Sequence, residues 1–437
     1  MVMVIKESSW AKPGAREQPA VAPKAHYLAL ELGAATAVQQ AHLAAARALD
    51  VGALPPTAAQ DEGQHDWRAA LGGAVDSVGF RLMRRFFSGA HRKELGSAVG
   101  YGELEGGWLA RSEAATLPGA EGAALAAYFP LPPLVEMARR QVGELPGGAI
   151  EDLSFDSQGY ADRPGARLFA RIFPENTTAR ARLYRHHSPG HPALLWMHGW
   201  GMGFPRIEAT VAQARAFYQR GLDVYLMTLP YHGARRPAGV RFAGELFPTT
   251  HIARSNEAFL QAAWECRALA RWHGARGGGT LGAAGLSLGG YVTAMLASVM
   301  PELAFAIGVL PVADIPTLMW SNGEGTEERR LAERAGIDFA TFCRAMAVHA
   351  PLSRSLAIAK ERVLLIGGRG DRIVPAVHTR ALWKHWDEPA LHWMPGSHLL
   401  PFGRGAYRIV MERFLEGLGI LRPTQKPTPT PATKEGV

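Results

Sequence analysis

Ser287 stands at the centre of Gly285-Leu286-Ser287-Leu288-Gly289, directly after the apolar run Thr280 to Ala284. A Gly-x-Ser-x-Gly pentapeptide between a strand and a helix turns so sharply that Cβ atoms at its flanking positions would clash. Glycine removes the clash and leaves the serine hydroxyl projecting from the turn. Such a hydroxyl attacks an acyl carbon when a base takes its proton, a third group orients the base, and N–H donors await the oxyanion. The sequence offers a candidate for each role.

The base must come from a loop at a strand end. His398 follows Met394-Pro395-Gly396-Ser397, just beyond the last candidate strand, and is favoured among the 16 histidines. His273, His385 and His392 fall within helical or strand patterns. The bland alternative for His398 is a residue that caps the following turn. The orienting acid precedes the histidine in chain order in this arrangement. Asp371, in Gly367-Gly368-Arg369-Gly370-Asp371-Arg372-Ile373-Val374-Pro375, follows a strand and is favoured over its rival Asp314. The alternative for Asp371 is a turn residue that bonds its own backbone.

The oxyanion donors are backbone amides. One is expected at Leu288, after the serine and at a helix N-terminus whose dipole favours negative charge. The second is assigned to Trp200 in His198-Gly199-Trp200-Gly201-Met202-Gly203, where three glycines let the backbone approach a ligand closely. Gly199 and Gly201 shape that turn and are candidate substrate contacts. His198 is expected to be a structural hydrogen-bonding residue rather than a second base.

The elements that must position these residues lie beyond about residue 150. Apolar runs of strand length recur at Glu151–Asp156, Ala181–Arg185, Ala193–Met197, Asp223–Thr228, Thr280–Ala284, Ala304–Leu310, Val363–Ile366 and Leu391–Met394. Helical patterns fall between them at Arg206–Arg220, Thr250–His273, Leu288–Val299 and Tyr407–Leu418. Continuously apolar strands suit a parallel sheet covered on both faces. Alternating strands and helices imply an α/β, doubly wound, mostly parallel eight-stranded sheet, with ligands at the carboxyl ends of its strands. Residues 311–350 interrupt the pattern after the sixth strand, either as a small lid or as an ordinary surface excursion.

The His-Gly loop, the Gly-x-Ser-x-Gly elbow, the Gly-x-x-Asp turn before Val374-Pro375 and the late Gly-Ser-His together resemble the α/β-hydrolase superfamily over about residues 150–420. The resemblance is to its esterase- and lipase-like serine hydrolases. It implies a Ser287–Asp371–His398 triad with no metal and no organic cofactor. Pro230-Tyr231-His232-Gly233-Ala234-Arg235-Arg236-Pro237 follows the fourth strand, and its Arg-Arg-Pro ending is similar to the branch containing abhydrolase-domain-containing type eighteen. That resemblance implies acyl-lipid substrates. Tyr231, Arg235 and Arg236 are therefore candidate substrate contacts, the two arginines able to clamp a carboxylate or phosphate. The competing reading pairs one or both arginines with acidic residues that hold the loop.

The remainder of the chain sets bounds. Residues 27–149 read as a helical N-terminal extension, with helices at His26–Asp50, Asp76–Lys93 and Pro132–Val142 and no strand alternation. Arg81-Leu82-Met83-Arg84-Arg85-Phe86-Phe87 suits either peripheral membrane contact or a packed amphipathic helix with snorkelling arginines. Residues 1–26 and the Pro/Thr-rich 422–437 read as disordered. Two cysteines, Cys266 and Cys343, indicate neither a disulfide framework nor a cysteine zinc site. Without a secretion signal in the first 24 residues, the expected location is cytoplasmic. Tyr291 to Pro311 is broken by Pro301-Glu302 and reads as a buried helix and strand, not a membrane span. Residues 1–150 carry 14 basic and 15 acidic side chains, the rest 33 and 24, so the net +8 belongs to the part holding Ser287. No aromatic-interleaved basic patch marks it for nucleic acid. The expected partner is a small-molecule acyl ester or lipid. The same catalytic groups would also serve a thioesterase, an amidase or a lipid acyl hydrolase, and a hydrolase fold can persist as a non-catalytic interaction protein.

Overall fold

The computed structural model describes residues 67–87, 128–157, 164–249, 251–334, 338–400 and 406–423. Its strands are β1 (Ala138–Leu145), β2 (Gly148–Asp156), β3 (Thr178–His186), β4 (Ala193–Met197), β5 (Asp223–Thr228), β6 (Leu281–Leu286), β7 (Ala306–Val309), β8 (Val363–Gly368) and β9 (Ala390–Met394). They form one sheet in the order β1-β2-β3-β5-β4-β6-β7-β8-β9. The first three strands run antiparallel to their neighbours, and every pairing from β5 through β9 is parallel. The helices are α1 (Trp67–Phe87), α2 (Pro164–Ile172), α3 (Pro205–Val211), α4 (Ala214–Gln219), α5 (Ile252–Ala275), α6 (Leu288–Val299), α7 (Ile315–Asn322), α8 (Glu327–Arg334), α9 (Phe339–Met346), α10 (Ala376–His385) and α11 (Ala406–Gly417).

The apolar strands do what burial on two faces requires. In β4, Leu195 and Met197 join the core layer that contains Phe259 and Leu269 of α5 and Val292 of α6, whereas Leu194 and Trp196 join the layer containing Phe217 of α4 and Met411 of α11. Side chains alternate across a strand, so a run with no polar residue can only sit in a sheet sandwiched between helices. Because β6, β7, β8 and β9 are parallel neighbours, the loops that follow β6, β8 and β9 leave from one edge of the sheet.

The sheet has nine strands rather than eight, and the extra one overturns a helix expectation. The second half of the segment read as a helix over Pro132–Val142 is instead the start of β1, antiparallel to β2 from Ala138 opposite Ser154 to Leu145 opposite Gly148. Its first five residues are exposed, so no apolar alternation marks it. Cross-strand charge holds it instead. Arg139 makes two 2.9 Å hydrogen bonds to the Glu151 carboxylate, and Arg140 makes one to Asp152. The single helix expected over Arg206–Arg220 is split into α3 and α4 by Gln213, which takes a left-handed conformation at φ 51°. The helix expected from Asp76 begins earlier, at Trp67. The helix expected at His26–Asp50, the disordered N-terminus and residues 424–437 lie outside the described residues. The segment after β7 is built from α7, α8 and α9. Trp320 of α7 packs against Phe339 and Phe342 of α9. No helix among the described residues is long and apolar enough to cross a membrane.

Glu151 gives the edge a pH dependence. Burial opposes its charge, yet hydrogen bonds from Arg139 and Arg185 hold its carboxyl below the ordinary 4.5. A depressed carboxyl contributes stability that is present above the unfolded-state value and lost as pH falls through the folded one. Glu151→Gln should cost about 1–3 kcal/mol at neutral pH. Its melting curve should converge on that of the wild type as the pH is lowered below 4.5, as thermal melts across acid pH would record.

Candidate active site

The turn after β6 is set by a close approach of backbones. A Cβ at Gly285 would lie 2.2 Å from the Gly289 carbonyl oxygen, and one at Gly289 would lie 2.1 Å from that of Met197. Neither position tolerates a side chain, so α6 can pack this closely on β6 and on the end of β4 only with glycine at both. Ser287, between them, is forced to φ 55° and ψ −109°. A non-glycine residue there is strained, and the surrounding contacts maintain it. Ser287 is the N-cap of α6, which makes Leu288 the first helical residue, with an amide that has no partner within the helix.

A chain of backbone hydrogen bonds carries this turn across the strand ends. The Ser287 amide donates to Val309 O at 2.9 Å, and Leu310 donates to Ile366 O at 2.7 Å. Further along, Arg369 donates to Met394 O at 3.1 Å and Gly370 to Gly396 O at 2.7 Å. The loops holding Ser287, Asp371 and His398 are thereby registered to the same edge.

Asp371 and His398 meet. Nδ1 of His398 lies 2.7 Å from Oδ2 of Asp371. With the carboxylate accepting, Nδ1 carries the proton and Nε2 is left as the basic nitrogen. The other oxygen of Asp371 accepts from the amides of Ile373 at 2.9 Å and Val374 at 2.7 Å. The two readings of this aspartate thus coexist, because bonding its own turn aims the second oxygen at the imidazole. Burial works against charge on His398, but the charge and hydrogen bond of Asp371, and then the charge of Asp76, hold its pKa above the ordinary 6.5. The rival Asp314 is committed elsewhere as the N-cap of α7, accepting from the amide and the hydroxyl of Thr317.

The His198–Gly203 loop lies beside the serine. A Cβ at Gly199 would lie 3.8 Å from that of Ser287. Nε2 of His198 accepts from Leu229 N–H at 3.0 Å, so Nδ1 donates to Gly199 O at 2.7 Å. Burial pushes this histidine down to about 4, so it is a neutral brace. Trp200 is anchored by its indole N–H to Gly244 O at 2.8 Å, and Gly201 takes φ 78°. Beneath the loop, Glu208 accepts from the Gly203 amide at 3.0 Å, and burial pushes its carboxyl up to about 7. Of the other histidines, His273 bonds Tyr225 at 2.9 Å and His385 bonds Arg354 O at 2.8 Å.

Two candidate substrate contacts are corrected. Arg235 is fully buried and donates to both oxygens of Glu265 at 2.7 Å, to Thr228 O at 3.0 Å and to Asn176 O at 2.8 Å. It fixes the loop after β5 from inside rather than clamping a substrate. Tyr231 is buried in the core, edge-on to Phe173, with its amide donating to Asn176 Oδ1 at 3.0 Å. Arg236 is exposed and donates to Arg241 O at 3.3 Å.

A residue that sequence reasoning missed completes the arrangement. Asp76 of α1 is fully buried, and its carboxylate accepts four hydrogen bonds from the two loops beside it. Oδ1 takes the Ser397 hydroxyl at 2.8 Å and the Leu399 amide at 2.9 Å. Oδ2 takes the Arg372 amide at 3.0 Å and the His398 amide at 2.9 Å. The available signal was an aspartate directly after a Gly- and Ala-rich stretch, Ala69 to Val75.

The sheet order, the strained serine turn and the edge that gathers these loops define a member of the α/β-hydrolase superfamily, and the chain belongs to it. Within that superfamily, residues 157–332 match the family described as Alpha/beta hydrolase domain containing 18. "Uncharacterized protein Rv2627c" of Mycobacterium tuberculosis is 31% identical over 296 residues, covering 66% of this chain and 69% of that protein. Among solved structures, acetyl xylan esterase 1 from Thermoanaerobacterium sp. is similar at 17% identity and a TM-score of 0.47, over 64% of this chain and 88% of that one. An acetyl xylan esterase from Paenibacillus sp. R4 is similar at 16% identity and a TM-score of 0.44, over 68% of this chain and 92% of that one.

The Arg235 assignment is open to test. Glu265→Ala leaves a buried guanidinium without its counter-ion and should cost about 3–5 kcal/mol in chemical denaturation. Arg236→Ala, on the surface, should change stability by about 0.5 kcal/mol or less.

Proposed function

We propose that the protein is a serine hydrolase of carboxylic esters working through an acyl-enzyme on Ser287. The observation that carries this reading is the 2.7 Å bond between Asp371 and His398, on the sheet edge where the strained Ser287 turn emerges. His398 Nε2 takes the proton of the Ser287 hydroxyl as its oxygen bonds to the acyl carbon. The carbonyl electron pair moves to oxygen, where the amides of Leu288 and Trp200 hold it. The imidazolium then returns its proton to the departing alkoxide, leaving the acyl group on Ser287. A water deprotonated by the same imidazole attacks that ester, and Ser287 leaves with the proton. Asp371 keeps the imidazole in the required tautomer and offsets the charge that forms on it.

Gly199 and Gly201 would line the approach to the acyl carbon. Arg236, exposed on the loop after β5, remains a candidate for an acidic group on the substrate. The preference among esters, thioesters and amides belongs to the groups that surround the acyl chain, not to the triad.

A fluorophosphonate probe should label the wild type and leave Ser287→Ala unlabelled; labelling that persists in the variant contradicts the assignment. Catalysis requires neutral His398, and this imidazole is held above 6.5, so kcat/KM for an ester should rise with pH with a midpoint above 6.5. A pH–rate profile measures this, and a midpoint below 6.5 would count against His398 as the base.

A further inference from the structure

We infer that Asp76 is a positioning residue that locks the acid and base loops of the site into one geometry from outside the hydrolase sheet. This rests on the reading of Asp371 and His398 just given and extends it to a residue of α1. A single oxygen, Oδ2, accepts from the amide of His398 itself and from that of Arg372, the residue after Asp371. The main chains of acid and base therefore share one acceptor. Any slip between the loops breaks a charge-assisted hydrogen bond to a buried carboxylate, which is costly. The second oxygen extends the clamp to the residues on either side of His398, through the Ser397 hydroxyl and the Leu399 amide.

The helix is fitted to this task between Ala69 and Gly79. A Cβ at Gly72 would lie 2.8 Å from that of Ser397, and one at Gly79 would lie 2.5 Å from Leu399 Cδ1. From the opposite side, a Cβ at Gly370 would lie 2.2 Å from Ala69 O. Helix backbone and loop backbone thus touch directly, which brings a side chain as short as aspartate within reach of four donors. The family match begins at residue 157, so the clamp is contributed by a part of the chain that lies before it. Among the described residues, the ionisable groups acting on the imidazole are Asp371, from the loop after β8, and Asp76, from α1. Asp76 therefore acts twice, by fixing where His398 sits and by favouring its protonated form.

The test compares full-length wild type, Asp76→Asn, Ser397→Ala and Ser287→Ala. The readouts are the inactivation rate with a fluorophosphonate probe as a function of pH, kcat and KM for p-nitrophenyl acetate, and the melting temperature. Asp76→Asn keeps the shape but turns an N–H₂ group toward two of the donors. It should lose about 10-fold or more in kcat and in probe reactivity with little change in KM. Its acid limb should move to lower pH, because a negative charge beside the imidazole has gone; a purely structural anchor would not move it. Ser397→Ala removes one donor and keeps the charge, so it should lower kcat less and leave the acid limb in place. Should Asp76→Asn fail to fold, Ser397→Ala decides, and a wild-type kcat in that variant overturns the inference. A folded Asp76→Asn with wild-type kcat and pH limb overturns it as well. Failure of the probe to label the wild type would instead remove the Ser287 reading on which both rest.

Discussion

One steric constraint governs the site: helix α6 packs so closely on the ends of strands β6 and β4 that no side chain fits at Gly285 or Gly289. The residue between them is pushed to φ 55°, a conformation that a serine adopts only when its surroundings insist. The surroundings here are the two helix-covered core layers, which fix the direction of β4 and β6 and hence the place of the turn. Sequence, packing and chemistry meet at this point. Apolar strands build the sheet, the sheet imposes the close packing of α6, and that packing projects the hydroxyl that we propose as nucleophile.

The partners are arranged by hydrogen bonding rather than by crowding. Asp371 uses one oxygen to hold its own turn and the other to hold His398. Asp76 then holds both loops from the opposite side. Every one of these acceptors is a buried carboxylate, and a carboxylate buried without donors would be far less stable than one in water. The geometry is consequently stiff, as the proposed catalysis, which depends on sub-ångström placement, would require. The ion pair of Arg235 with Glu265 does similar work under the loop after β5, where a buried charge is tolerated because its partner is equally buried.

Legibility from sequence followed apolar patterning. β4, β5 and α6 were bounded to the residue, because runs such as Ala193–Met197 have one solution in a doubly covered sheet. The elbow glycines were legible for the same physical reason that makes them necessary. β1 was not, since it is an exposed edge strand tied by Arg139 and Arg140 to acidic partners, and charge pairing leaves no periodic trace. Asp76 was hidden differently: its four partners lie about 300 residues away, and three of its four bonds go to backbone amides, which look alike in any sequence. Arg235 was legible as one of two readings, and only burial chose between them.

The most direct test of this account is a crystal structure of the protein after reaction with an alkyl fluorophosphonate. The account predicts phosphorus bonded to Ser287 Oγ, the phosphonyl oxygen about 2.7–3.1 Å from the amides of Leu288 and Trp200, and Nε2 of His398 facing the adduct. An adduct on another residue, or one at Ser287 with the imidazole out of reach and the phosphonyl oxygen turned from both amides, would contradict it.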